Sequence, residues 1–124
     1  MAIVRHNPGK ILSEAVEHGD TVYLAGAVAE KLNADVKRQT EDILRQIDKL
    51  LAAAGSHKSH LLSATIWVTD IRNRDEMNKA WMAWIDRANP PARACVEAKL
   101  ANPQMLVEIA CIAAKGPAPK RKRG

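Results

Sequence analysis

The chain has 124 residues, one domain's worth, of which 47% are hydrophobic and 27% charged. That composition excludes the disordered and fibrous classes, and the length allows roughly two thirds of the unfolded chain's surface to be buried without staples. The formal net charge of +5 lies in residues 115–124, KGPAPKRKRG, without which bases and acids balance, so the folded part is neutral and argues against a general polyanion-binding surface.

The N-terminal MAIVRHNPGK lacks the apolar stretch of a signal peptide, and no later stretch reaches membrane-span length, so no membrane association is expected. One or two short strands fit before Gly19. Residues 20–29, DTVYLAGAVA, read as a strand in which Gly26 marks a bulge or a close backbone approach. From 35 to 54 the apolar residues Val36, Ile43, Leu44, Ile47, Leu50, Leu51 and Ala54 recur at helical spacing, with Asn33 or Asp35 as N-cap and Gly55 as stop. Residues 60–70, HLLSATIWVTD, return to strand chemistry, with Leu62, Ala64, Ile66 and Val68 on one face and Leu61, Ser63, Thr65, Trp67 and Thr69 on the other. A second helix is predicted over 74–88, its stripe of Met77, Trp81, Trp84, Ile85 and Ala88 turned to the core and its end set by Asn89-Pro90-Pro91. Two closing strands follow, 92–98 and 105–114.

The order is therefore strand, helix, strand, helix, strand, strand, and each strand-helix-strand crossover should be right-handed and lay its helix on the same kind of sheet face. If both helices cover one face, the other, carrying Trp67 and Thr65, is too apolar for open water, which predicts an oligomer. The domain spans 1–114. The Pro/Gly-rich basic tail, 115–124, is expected to be disordered, and reads either as an anchor for nucleic acid or another anionic surface or as a solubilising tail. Cys95 and Cys111 sit in apolar runs without metal or redox spacing and read as reduced thiols of a cytoplasmic protein.

Alternation puts Arg93, Cys95 and Glu97 on one face of the first closing strand, and Glu108 among Leu106, Ala110 and Ile112 on one face of the second. Charges in apolar rows need partners. Arg93 and Glu108 either pair across neighbouring strands or serve a ligand. A guanidinium fork suits an anionic carboxylate, and a carboxylate in an apolar site suits holding water or exchanging a proton. Cys95 reads as a small buried thiol rather than a nucleophile, since no histidine stands at a recognisable partner position. His6, His18, His57 and His60 lack metal spacing and read as surface residues, so no metal site is expected. Met77, Trp81 and Trp84 read as helix core rather than as an aromatic cage. No phosphate-binding loop, dinucleotide fingerprint or zinc-protease motif is present.

Taken together, GDTVYLAGAV, HLLSATIWVTDIRNRDEMNKAWMAW, NPPARACVEAKL and VEIACIAA resemble the RidA family, also called YjgF/YER057c/UK114. The resemblance runs from Asp20 to Lys115. It implies a chorismate-mutase-like α+β fold, a mixed β-sheet with two helices packed on one face, assembled as a homotrimer with ligand clefts between subunits. It further implies hydrolysis of reactive enamine and imine intermediates, such as 2-aminoacrylate, to 2-keto acids and ammonia, with no cofactor. By the same resemblance Arg93 binds the substrate carboxylate, Glu108 positions water, Cys95 offers its backbone N–H, and Gly26 lines the cleft. The chain departs from the family's deaminases at Leu12-Ser13, where they carry a tyrosine, and at Ala25 and Ala27, where they carry serine and glutamine. The alternatives are a non-catalytic trimeric module binding small carboxylates, and an RNA-binding or endoribonuclease-type relative. Nucleic acid is not expected as a partner except through the basic tail.

Overall fold

The computed structural model describes residues 1–120. Two short strands, β1 (Ile3–His6) and β2 (Ala15–His18), precede β3 (Thr21–Leu24) and β4 (Ala27–Val28). Helix α1 (Val36–Ala53) leads to β5 (Leu61–Val68), helix α2 (Arg74–Trp84) to β6 (Ala92–Glu97), and β7 (Val107–Ala114) closes the fold. The strands form one sheet in the order β1-β2-β3-β7-β5-β6, with β4 continuing the line of β3 beside β7. β5 and β6, joined by the α2 crossover, run parallel, and the other pairings are antiparallel. The sheet is therefore mixed, as the family resemblance implied, and both helices cover one face of it.

Periodicity explains that layering. Val36, Ile43, Leu44, Ile47 and Leu51 form the buried stripe of α1, and Asp35 caps it by accepting the Arg38 N–H at 2.8 Å. β7 alternates throughout: Val107, Ile109, Cys111 and Ala113 are buried against the helices, while Glu108, Ala110, Ile112 and Ala114 stay half-exposed on the other face. Ala64, Ile66 and Val68 of β5, with Met77, Ala80 and Trp81 of α2, complete the same core. Each fully buried Ile or Leu, such as Ile43, Leu44, Ile47 and Ile66, contributes about 2 kcal/mol of transfer free energy.

The structure corrects the expected elements in four places. The single strand over 20–29 is broken, because Ala25 donates its N–H to Glu14 O at 2.9 Å before the chain rejoins the sheet at β4. A bulge between Leu61 and Ser63 shifts the alternation at the start of β5, so Leu61 enters the core and Leu62 turns outward. α2 ends at Trp84 rather than at residue 88, well before the prolines. Asp86 accepts the Ala88 N–H and the Asn89 side-chain amide, each at 3.0 Å, and this local turn competes with further helix. Lastly, the tail does not leave the domain at 114. Lys115 donates its N–H to Asp20 O at 2.8 Å, Gly116 donates to Gly55 O at 2.9 Å, and the His60 ring bonds Pro117 O at 2.7 Å. The last four residues of the expected disordered tail, 121–124, lie outside the described residues.

Candidate functional site

Glu108 is the acid of the open sheet face. Register places it between Val28 of β4 and Trp67 of β5. Gly26, in the break between β3 and β4, lies against its side chain: a Cβ there would collide with Glu108 Oε2 and come 3.0 Å from its Cδ. The close backbone approach expected at Gly26 is therefore to this carboxylate. Among the described residues Glu108 makes no ion pair. Leu12, Ala25, Gly26, Ala27 and Val28 line one wall of a neighbouring cavity of about 410 Å³, with Gln46, Lys49 and Leu50 of α1 opposite.

Arg93 stands on β6, the edge strand, in a row with Cys95 and Glu97. The register Ala64↔Arg93 and Ile66↔Cys95 puts that row on the helix-covered face. There Arg93 Nη1 donates to Asn78 Oδ1 at 2.7 Å, and its Cζ lies 5.4 Å from the centroid of the Trp81 ring. Its Nε and Nη2 have no protein acceptor among the described residues. Ala98 donates its N–H to Val68 O at 3.0 Å. Alternate residues of a parallel strand bond the same neighbour, so the N–H groups of Arg93 and Cys95 point away from β5 along the unpaired edge.

The two charges do not pair within one chain. β5 separates their strands, and they occupy opposite faces of the sheet. Nothing in the two local sequences reveals this, because strand order is a non-local property. Asn78 and Trp81 were also missed as partners of Arg93, although their spacing of three on α2 places them on one helix face.

The thiols and the other histidines lie as follows. The Cys111 thiol is pushed up to about 12 by burial, which disfavours the thiolate needed for a nucleophile. Cys95 is a half-buried free thiol against the core edge. His6 is not a free surface residue: it lies on β1 and bonds Glu17 at 2.5 Å. His57 accepts the Ser59 N–H at 3.2 Å, capping the short turn before β5. No helix among the described residues is long and apolar enough to cross a membrane.

These features define a class of small α+β protein: one mixed sheet, helices on one face, an acid lying on a bare glycine on the other, and an arginine at the strand edge. The family model described as Endoribonuclease L-PSP matches residues 4–115, and the chain belongs to that family. It is 45% identical to a RutC family protein of Haemophilus influenzae over 114 residues, covering 91% of this chain and 98% of the relative. It is 44% identical to the RutC family protein YoaB of Escherichia coli over 114 residues, covering 92% and 99% respectively. Among solved structures, NMB1025 of Neisseria meningitidis, a YjgF family member, superimposes with a TM-score of 0.91 at 42% identity, covering 95% of this chain and 98% of that one.

Proposed function

We propose that the protein hydrolyses reactive 2-imino acids and their enamine tautomers to 2-keto acids and ammonia, in clefts between copies of a homotrimer in the cytoplasm. The observation that carries this reading is the open arginine fork on a bare strand edge, with Nη1 committed to Asn78 and the Nε/Nη2 edge free among the described residues. Such an edge grips a carboxylate with two parallel hydrogen bonds, and the outward N–H of Cys95 adds a third donor.

Glu108 supplies the chemistry in this reading. With the carboxylate held by Arg93 of one copy, Glu108 of a neighbouring copy accepts a proton from water as the water oxygen adds to the imine carbon. Glu108 passes that proton to the imine nitrogen, completing the carbinolamine, and then takes the carbinolamine's hydroxyl proton and delivers it to the amine nitrogen as the C–N bond breaks and the C=O bond forms, releasing ammonia and the 2-keto acid. An imine carbon is already electrophilic, so these residues suffice without a cofactor.

One observation favours the non-catalytic alternative. Ala25 and Ala27, which flank Gly26, and Leu12 in the lining of the same cavity themselves carry no polar side-chain group, which thins the polar lining beside Gly26 although Asn7, Glu14, Glu30, Gln46 and Lys49 also line that cavity. The deciding assay generates imines in situ with an amino-acid oxidase and measures ammonia release. Wild type should accelerate release, Glu108→Gln should lower the rate by roughly a hundredfold, and Arg93→Ala should abolish turnover while leaving the oligomer intact. Carboxylate binding without acceleration would leave a binding module. An RNA-directed reading, suggested by the family model's description, would draw on the basic residues from Lys115 onward, since the rest of the chain is charge-neutral. Truncation after Pro117 separates it.

A further inference from the structure

Resting on the carboxylate-clamp reading, we infer that Asn78 and Trp81 are positioning residues, which hold the Arg93 guanidinium so that its Nε/Nη2 edge faces the substrate. A free arginine side chain samples many rotamers, and a two-pronged grip needs one plane and one edge. Asn78 Oδ1 fixes the Nη1 corner at 2.7 Å, and the Trp81 ring fixes the plane from 5.4 Å. The cradle is itself rigid. Trp81 is 6% exposed and packs at 5.5 Å on Trp84, whose indole N–H donates to Asp48 of α1 at 2.9 Å. Both helices thus set the orientation of a side chain on the edge strand.

The neutrality of Asn78 separates positioning from simple support. An aspartate at 78 would bond Arg93 more strongly and hold the fold at least as well, yet it would neutralise the guanidinium and draw its fork inward. A residue chosen only to anchor Arg93 has no reason to be an amide. A residue that must orient the charge without consuming it does.

The test titrates the full-length chain with 2-oxobutyrate by calorimetry and records thermal melts of each variant. Asn78→Ala should weaken binding roughly tenfold, the scale of one hydrogen bond to a charged group. In turnover assays its KM should rise in proportion while kcat changes little. Asn78→Asp, which preserves shape should the alanine variant fold poorly, should melt no lower than wild type and still bind more weakly. Wild-type affinity in Asn78→Asp, or an unchanged dissociation constant in a folded Asn78→Ala, overturns the positioning role alone. Failure of wild type to bind 2-oxobutyrate overturns the carboxylate clamp and this inference with it.

Discussion

At Gly26 the missing side chain is what lets the Glu108 carboxylate lie against the backbone between β3 and β4. Gly26 does not have a left-handed φ, unlike Gly19 and Gly55, so alanine brings no backbone strain there. What must move is Glu108 Oε2, the end of a flexible side chain. Gly26→Ala should therefore shift Tm by no more than about 2 °C while lowering kcat/KM by at least tenfold, because catalysis is far more sensitive than folding to a displacement of about 1 Å. Parallel melts and ammonia-release kinetics check this. A different carboxylate serves the fold. Glu17 of β2 is clamped by Lys115 and His6, and the hydrogen bond from Lys115, followed by that from His6, holds its carboxyl below the ordinary 4.5. A depressed folded-state pKa stabilises the protein above the unfolded value and loses that contribution as pH falls through the folded value. Glu17→Gln should thus melt a few degrees below wild type at neutral pH, and the gap should narrow as the pH falls below the ordinary 4.5. Melting curves across that range test it, and a pH-independent gap would assign the loss to shape rather than charge.

Among the elements, α1 is held to the start of β7 by one buried side chain. Gln39, 1% exposed, donates from Nε2 to Leu32 O, Ala34 O and Gln104 O at 3.0–3.1 Å and accepts the Leu106 N–H at 3.0 Å. It thereby fixes the turn that delivers the chain into β7, two residues before Glu108. Gln39→Leu would leave several buried backbone groups unpaired, at a cost of about 3 kcal/mol, or about 10 °C in Tm for a chain of this size. Thermal denaturation reads the loss directly. Gln39 also marks where local reading stops. The stripe from Val36 to Leu51 and the alternation of β7 are written in neighbouring residues, so both helices and the long strands were legible. Gln39 reads as a polar residue of α1 until the Asn102–Leu106 turn is brought beside it. The Leu61 bulge and the Asp86 turn likewise depend on hydrogen bonds that no periodicity carries. For the site the division is the same: alternation gave Arg93 and Glu108 the correct row within each strand, whereas the intervening β5 and the opposed faces come from strand order alone.

For the whole molecule that opposition decides how a site can be built. One chain offers Arg93 at an edge beneath the helices and Glu108 on the open face, so a small substrate touching both needs an edge from one copy and a face from another. The open face is suited to such a contact, since register aligns half-exposed Ile3, Tyr23 and Val96 with Trp67, Ala110 and Ile112 on it. An edge meeting a face is a heterologous contact, which closes into a ring under rotational symmetry, and the proposed homotrimer is such a ring. Chain mixing tests the arrangement. The Arg93→Ala homo-oligomer should be inactive and the Glu108→Gln one nearly so, yet co-refolding them in equal amounts should restore roughly a quarter of wild-type ammonia release, because a cleft can draw its arginine from one variant and its glutamate from the other. If each active site drew both residues from a single chain, every cleft in the mixture would carry a defect and no activity would return.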